Sequence, residues 1–298
     1  MPESYTPPCD DLHGVSAWYL EHARDLPWRR AEFHDRYGAW GVLVSEFMLQ
    51  QTQVSRVIPR LAEWLDRWPT PAALAADPPA AAVAAWDTLG YPRRALWLHR
   101  AAVQITERHD GTVPRDVDAL LALTGIGEYT ARAVAVFAYG DRHPVVDTNT
   151  RRVLARAVDG SAHAGPPSAA DLRRMAEHLP VEREDAATFN AAMMELGATV
   201  CTSRSPDCAR CPVLDACAWV RAGRPDTEDR RRRQARFEGS DRQTRGAVMR
   251  MLRTASAPMP LDAIIADWPD PLQRDRAIDS LIADGLAEAV DDGLRLPR

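Results

Sequence analysis

Two carboxylic acids stand in sequence surroundings that would shift their proton affinities in opposite directions. Glu46 lies between Ser45 and Phe47 in a largely apolar run, residues 40–49. If its side chain is buried, desolvation keeps the carboxyl protonated, as a general acid requires. If it lies on a polar helix face, it is an ordinary surface acid, and the pattern leaves both open. Asp147 stands where a helix would begin, a position that suits a capping aspartate and keeps a carboxylate ionised. A protonated acid paired with an ionised one is typical of glycosidic-bond cleavage.

Four of the five cysteines fall in one short segment with the spacing C-x6-C-x2-C-x5-C, at Cys201, Cys208, Cys211 and Cys217. Four thiolates can hold a tetrahedral zinc ion or an iron–sulfur cluster. Zinc ribbons usually have two C-x2-C pairs and this segment has one, so the spacing favours an iron–sulfur cluster. Arg204 and Arg210 in this segment would contact phosphate or simply solvate the loop. Cys9 stands apart from the group and is interpreted as a surface or packing thiol.

A glycine-containing turn is predicted between a short helix near residues 116–121 and a longer one that ends near residue 138. The segment 123–131 reads Leu-Thr-Gly-Ile-Gly-Glu-Tyr-Thr-Ala. Glycines on both sides of one apolar residue permit a tight turn and leave amide groups at the start of the second helix, which suits a phosphate. Such a motif is often only a turn, but the complete pattern favours a grip on the DNA backbone by Gly125, Ile126 and Gly127.

Helical spacing of apolar residues recurs through residues 1–220, and proline-containing breaks divide this part into short helices. The class is therefore all-α, with an Arg-rich linker at 223–245. After the linker, the pattern predicts a small winged-helix-like α+β module at 246–298. Its expected elements are helices at 246–253, 261–266 and 271–284 and a final hairpin that turns at 291–293.

Charge is distributed unevenly, although the net charge is only −5. Residues 221–260 hold eleven arginines and five acids, whereas residues 261–298 hold four arginines and nine acids. The basic segment would contact phosphates in a salt-dependent way or serve as a solvated linker. All 37 basic residues are arginine, so no lysine can form a Schiff base. We expect no signal peptide and no membrane span, and a cytoplasmic protein that associates with the nucleoid when on DNA.

Taken together, these motifs resemble the helix-hairpin-helix/Gly-Pro-Asp DNA glycosylase superfamily, in the branch that carries a [4Fe–4S] cluster, and most closely the MutY-type adenine DNA glycosylase family. The resemblance covers about residues 12–220. Besides the hairpin and the clustered cysteines, it rests on five motifs: Leu26-Pro27-Trp28-Arg29, Ser45 to Gln53, Leu89-Gly90-Tyr91, Val146 to Asn149, and Phe189-Asn190 through Gly197.

The resemblance implies a two-lobed fold. Its cluster lobe would comprise residues 1–30 and 140–222, and a helical bundle with the helix-hairpin-helix would comprise residues 31–139. It also implies a [4Fe–4S] cofactor on the four clustered cysteines. The implied partner is double-stranded DNA with a mispaired adenine, bound by a monomer.

The resemblance also implies a mechanism in which the adenine is flipped out of the duplex. Glu46 would protonate the base at N7 and then activate water, while Asp147 would stabilise the cationic sugar. Further roles follow from the same family: Tyr129 and Asn149 support the two acids, Trp28, Arg29 and Glu195 form the adenine pocket, and Gln51 and Tyr91 fill or wedge the gap in the duplex.

Position 129 separates two branches of the superfamily. The endonuclease III type has a lysine there that forms a Schiff base with the sugar, whereas this chain has Tyr129. The resemblance therefore implies a monofunctional glycosylase. Two features depart from the family: residues 246–298 are too short for the usual domain that inspects 8-oxoguanine, and Pro92 replaces a frequent second aromatic residue.

Two other functions remain open. A thymine or uracil mismatch glycosylase on the same scaffold would fit the motifs, but Glu46 suits purine N7 protonation better. A non-catalytic, metal-containing DNA-binding regulator would explain the linker and the C-terminal module, but it leaves Glu46, Asp147 and Glu195 without a role.

Overall fold

The computed structural model describes Leu12 and residues 14–225, 236–291 and 293–298. Cys9 and the arginine run 230–233 lie outside these residues. The helices are α1 (Gly14–His22), α2 (Ala31–Leu49), α3 (Val54–Arg67), α4 (Pro71–Ala76), α5 (Pro79–Trp86), α6 (Arg93–Arg108), α7 (Val117–Leu121), α8 (Glu128–Tyr139), α9 (Thr148–Ala157), α10 (Ala169–His178), α11 (Arg183–Thr199), α12 (Ala218–Arg221), α13 (Asp241–Thr254) and α14 (Pro271–Ala283). The strands are β1 (Met259–Pro260), β2 (Glu288–Val290) and β3 (Gly293–Arg295). The predominantly helical class with one small sheet is confirmed.

The chain divides into two compact units, Met1–Arg30 with Glu128–Arg231 and Ala31–Gly127 with Arg232–Arg298. These are called the first and second units below. The division differs from the expected domains at two places. Residues 128–139 belong to the first unit and not to the helical bundle, and residues 246–298 cluster with 31–127 and do not form a unit of their own.

Helix α8 belongs to the first unit because its apolar face packs there. Ala133 and Val136 of α8 form a buried cluster with Val145, and Ala187 and Met194 of α11 pack against it. Burial of apolar surface is the largest favourable contribution to packing. It therefore places α8 in the first unit, although α8 directly follows residues of the second unit in the sequence. The expected domains assign α8 to the helical bundle, whereas its packing groups it with the first unit.

Helix α2 is kinked at Gly38, which has a positive φ of 50°. Beyond the kink, every residue from Trp40 to Met48 is buried. Leu43, Val44 and Phe47 are completely inaccessible to solvent. The C-terminal half of α2 is thus a core helix of the second unit, and it holds any side chain on it in a fixed position.

The C-terminal part, residues 236–291 and 293–298, contains α13, α14 and a small sheet. β3 lies between β1 and β2 in an antiparallel sheet, with Leu294 opposite both Met259 and Ala289. The hairpin follows the expectation, but the helix predicted at 261–266 is wrong. These residues form successive turns, because Ile265 has a positive φ of 42°, a conformation that a helix cannot contain.

This C-terminal part docks onto the rest of the second unit through arginines. Arg253 donates to the Val83 carbonyl at 3.3 Å. Asp284 accepts from Arg93 at 3.1 Å, and within the C-terminal part it also accepts from Arg245 at 2.6 Å. No helix in the described residues is both long and apolar enough to cross a membrane.

Candidate active site

Glu46 is buried, which decides between the two placements that the sequence left open. It lies in the last turn of α2 and is 5% exposed. Its neighbour Ser45 turns its hydroxyl back onto the helix and donates to the Val42 carbonyl at 2.8 Å. A carboxyl held in such a place is desolvated, and desolvation favours the protonated form. The second unit therefore contains an acid suited to proton donation.

Two turns of the second unit carry Gln51 and Tyr91, the residues expected to enter the duplex. Both have a positive φ, 55° for Gln51 and 48° for Tyr91, which is a strained conformation for side chains of this size. Tyr91 is 54% exposed. Pro92, which follows it, is the N-cap residue of α6. An exposed aromatic on a strained turn is available to contact a ligand.

The hairpin turn depends on Gly125, which has a φ of 81°. A Cβ atom at this position would come within 2.6 Å of the Trp97 Cβ, so only glycine fits. Ile126 is buried, and its amide donates to the Leu123 carbonyl at 3.3 Å. Gly127 follows and directly precedes α8. The motif therefore has the tight backbone that its sequence predicts, with Ile126 as its apolar anchor.

Asp147 caps α9, and hydrogen bonds hold both of its carboxylate oxygens. Oδ1 accepts the Thr150 amide at 2.7 Å, and Oδ2 accepts the Asn149 side-chain amide at 2.7 Å. These two hydrogen bonds fix the orientation of the carboxylate. Asn149 in turn accepts from Arg152 at 2.8 Å. Arg152 also donates to the carbonyl of Cys201 at 2.7 Å, so a short relay joins the Asp147 carboxylate to the cysteine segment.

The backbone around Asp147 is fixed by close packing against α11. Asn190, completely buried, accepts the Val145 amide at 2.7 Å and donates to the His143 carbonyl at 3.0 Å. A Cβ atom at Gly197 would lie 2.6 Å from the Asn149 Cβ, so α9 and α11 can approach only because position 197 is glycine. Tyr129 packs against the α8 cluster of the first unit.

Glu195 is inaccessible to solvent and is clasped by two arginines. Oε1 accepts the Arg24 amide at 3.2 Å and Nε at 2.6 Å, while Oε2 accepts from Arg24 at 2.9 Å and from Arg29 at 2.8 Å. Burial alone would raise the pKa of Glu195, but the hydrogen bonds from Arg24 and Arg29 outweigh it and hold the pKa below its usual value. A carboxylate has about four lone-pair positions, and all are used. Glu195 therefore orients arginines, a role that its family resemblance did not indicate.

Arg24 was not anticipated from the sequence, because it precedes the Leu26-Pro27-Trp28-Arg29 motif and has no spacing signal of its own. Arg29 lies over the Tyr19 ring, with its guanidinium carbon 5.1 Å from the ring centroid. Burial is the main reason that the pKa of Tyr19 is raised. Trp28 lies between Arg24 and Arg29 in the sequence, within a short 3-10 turn, Pro27–Arg29.

Replacing Glu195 by Gln is expected to lower the free energy of unfolding at pH 7 by about 1–2 kcal/mol, less than for a fully buried pair because Arg24 keeps contact with water. The pKa of Glu195 is lower in the folded protein than its value of 4.5 in the unfolded chain. The stabilisation that this carboxylate provides is therefore fully present above pH 4.5 and is lost as the pH falls through the lower folded-state pKa. Urea unfolding of both proteins at neutral and acidic pH measures this. The difference should shrink below pH 4.5, and a constant difference would contradict the assignment. Glu128→Gln, in an exposed pair with Arg132, serves as the control.

The four clustered cysteines line one cavity. They form no disulfide with one another. Burial raises the pKa of the Cys211 thiol to about 11 and raises the pKa of the Cys201 thiol as well, so these thiols need a nearby cation to ionise. Arg156 contributes one, donating to the Cys201 sulfur at 3.4 Å. Among the residues described, no three His, Cys, Asp or Glu side chains are set for a single shared metal ion.

Comparisons with known proteins identify the relatives of this chain. Residues 44–177 match the family model for the HhH-GPD superfamily base excision DNA repair protein. The adenine DNA glycosylase of Mycolicibacterium smegmatis is 54% identical over 278 residues, covering 93% of this chain and 92% of that protein. The thymine/uracil-DNA glycosylase of Pyrobaculum aerophilum is 35% identical over 205 residues, covering 67% and 87%. A solved thermostable thymine-DNA glycosylase shares the fold, with a TM-score of 0.64 and 23% identity over 71% of this chain and 95% of that one.

Proposed function

Because the chain belongs to the adenine DNA glycosylase family of the HhH-GPD superfamily, we propose that it hydrolyses the N-glycosidic bond of an adenine mispaired with 8-oxoguanine or guanine. The observation that carries the proposal is 54% identity to an adenine DNA glycosylase over 93% of the chain. The geometry adds a buried acid at Glu46 and a doubly hydrogen-bonded carboxylate at Asp147.

Catalysis begins with extrusion of the adenine, since its glycosidic bond is inaccessible in the stacked duplex. Glu46 donates its proton to N7, so the electron pair of the breaking C1′–N9 bond passes into a neutral leaving base. The sugar becomes an oxocarbenium-like cation, which the Asp147 carboxylate stabilises, as a covalent intermediate or as an ion pair. The oxygen of a water molecule then bonds to C1′ while the ionised Glu46 accepts a proton from that water. This regenerates the acid.

The supporting residues act on the two acids. Asn149 holds one oxygen of Asp147 and is itself held by Arg152, so the carboxylate has one orientation toward the sugar. Tyr129, which packs against the cluster of Ala133, Val136 and Val145, is the further supporting residue of the proposal. A fixed carboxylate costs no reorganisation when charge develops on the sugar, and this is the main reason for its catalytic effect.

Adenine recognition falls to the arginines that Glu195 holds. Because the Glu195 oxygens are fully used by Arg24 and Arg29, the carboxylate orients guanidinium groups whose remaining N–H donors suit the ring nitrogens of adenine. Trp28 supplies an aromatic surface for stacking. This pocket discriminates by donors to purine nitrogens.

The duplex is gripped and opened by the second unit. Gln51 and Tyr91 occupy the gap that the extruded base leaves, and the hairpin Gly125-Ile126-Gly127 contacts the DNA backbone without reading sequence. A monomer binds one lesion site. Phosphate contacts make the affinity fall as salt concentration rises.

The four cysteines would hold the cofactor, and their chemistry fits a [4Fe–4S] cluster. Four thiols without disulfides around one cavity provide a complete donor set for four irons. When bound, the cluster supplies a rigid crosslink and a redox-capable centre. Broad visible absorption with about four irons per chain is expected in protein purified without oxygen, whereas a colourless zinc protein would contradict the assignment.

The chain is expected to leave an intact abasic strand, without β-elimination, because Tyr129 replaces the Schiff-base lysine and the sequence contains no lysine. Borohydride added during turnover should therefore trap almost no protein–DNA adduct. A high yield of trapped adduct would contradict this, and a lysine-dependent lyase on the same duplex is the positive control for trapping.

Excision of adenine from duplexes with 8-oxoguanine, guanine or cytosine opposite it tests the function itself. The proposal requires free adenine from the first two. A second candidate, removal of thymine or uracil from mismatches with guanine, is favoured by the Pyrobaculum aerophilum relative. Release of thymine or uracil with no release of adenine would replace the proposal with that candidate.

A further inference from the structure

Arg94 is a buried cation whose partners are backbone carbonyls and one hydroxyl. It is the second residue of α6 and is 4% exposed. Its guanidinium donates to the carbonyls of Phe47, Met48, Gln50, Leu89 and Gly90 and to the Thr52 hydroxyl. Burial lowers the pKa of Arg94 to about 10, so the group is still charged at neutral pH. A guanidinium uses its planar fork of donors to join several acceptors at once.

Three of these carbonyls lie at the C-terminal end of α2. The bonds to Phe47 and Met48 are 2.7 and 3.2 Å long. The last carbonyls of a helix have no partner within it and carry the negative end of its dipole, so a cation there stabilises the end of the helix. Glu46 lies in this same turn. Arg94 therefore caps the helix that presents the proposed acid.

The remaining partners belong to the two strained turns. Arg94 donates to Thr52 at 2.9 Å and to Gly90 at 3.0 Å, next to Gln51 and Tyr91, the two positive-φ residues. The Thr52 hydroxyl also donates to the Leu89 carbonyl at 3.0 Å. Strained backbone of this kind persists only where surrounding contacts hold it, and Arg94 supplies those contacts to both turns.

We propose that Arg94 is a positioning residue that fixes the end of the Glu46 helix and the turns of Gln51 and Tyr91 as one rigid body, so that occupation of the duplex gap and proton delivery to the flipped base are aligned together. Arg94 itself touches no substrate. The inference rests on the proposed function for its consequence, but its structural content is measurable on the free protein.

Amide hydrogen exchange of the free protein tests the structural content. Arg94→Lys keeps the charge and loses the fork, so the amides of Thr52 and residue 94, which donate to Leu49 and Tyr91 carbonyls, should exchange about tenfold faster or more. His99→Gln is the matched control, because His99 is also buried on α6 and contacts a carbonyl at another helix end, that of Asp77. If the exchange of these two amides is accelerated equally in Arg94→Lys and in His99→Gln, the proposal is overturned.

A double-mutant cycle tests the functional content. In single-turnover adenine release, Arg94→Lys and Tyr91→Ala should each reduce the rate about tenfold or more, and the double variant should be no more than about threefold slower than the worse single variant. If the fold reduction in the double variant equals the product of the two single reductions, the proposal is overturned. Thr52→Val, which loses the hydroxyl bound by Arg94, takes the place of Arg94→Lys if that protein does not fold.

The exchange experiment fails separately from the proposed function. If the unaltered chain releases no adenine, the function is wrong, while the exchange measurement still decides whether Arg94 holds the two turns. If adenine is released and the exchange of these amides in Arg94→Lys is unchanged, the positioning role is wrong and the function stands.

Discussion

Replacing Glu46 by Gln is expected to reduce the single-turnover rate of adenine release by about 10²- to 10⁴-fold, the range that a general acid contributes. The substitution preserves size and burial at a position that is 5% exposed, and it removes the proton that N7 must receive. Affinity for the mismatched duplex should stay within about threefold, because the buried side chain makes no phosphate contact in the proposed complex. Rapid quenching gives the rate, and filter binding at fixed salt gives the affinity.

Glu63→Gln is the control for this experiment. Glu63 is an exposed acid of the same unit, paired with Arg60 at 2.6 Å, and it should retain full activity. Retention of the original rate by the Glu46→Gln protein would remove the proposed acid from the mechanism. Loss of activity in both variants would point to a general effect of charge and not to proton donation.

Replacing Asp147 by Asn is expected to reduce the rate by about 10²- to 10³-fold and to lower the free energy of unfolding by no more than about 1 kcal/mol, because only the hydrogen bond from the Asn149 side chain is lost. Asparagine caps helices as well as aspartate does, so the hydrogen bond from the Thr150 amide is preserved. The negative charge that faces the developing sugar cation is lost. Single-turnover kinetics and thermal unfolding, measured on the same preparation, separate the two effects.

Asp270→Asn provides the matched control, because Asp270 caps α14 by accepting the Gln273 amide at 3.1 Å. It should change neither the rate nor the melting temperature. An Asp147→Asn protein that is slow and destabilised by several kcal/mol would assign Asp147 a structural role only, whereas a slow protein with at most about 1 kcal/mol of lost stability supports its catalytic role.

Sequence reasoning predicts the residues whose chemistry shows in local patterns. Asp147 is an N-cap because an aspartate stands directly before a helical run, and the structure has it there. The class follows from the spacing of apolar residues, and the family from the resemblance of the motifs. The burial of Glu46 could only be left open, since a single acid in an apolar helix can lie on either face until tertiary packing decides.

The arginines that organise the site escape such reasoning. Arg24, Arg94 and Arg152 reach their partners through long side chains across distant parts of the chain, and Arg152, for example, bridges Asn149 to the Cys201 carbonyl. No spacing pattern encodes these contacts, because the partners are mostly backbone carbonyls. The position of α8 in the first unit was missed for a related reason: burial against α11 decides it.

Proton transfer to N7 is tested most directly by a duplex in which 7-deazaadenine, with carbon in place of N7, stands opposite guanine or 8-oxoguanine. The base pairs and extrudes as adenine does but offers Glu46 no nitrogen to protonate. Binding comparable to that of the adenine duplex with no detectable base release is the predicted result. Release of 7-deazaadenine at the rate of adenine would contradict the account.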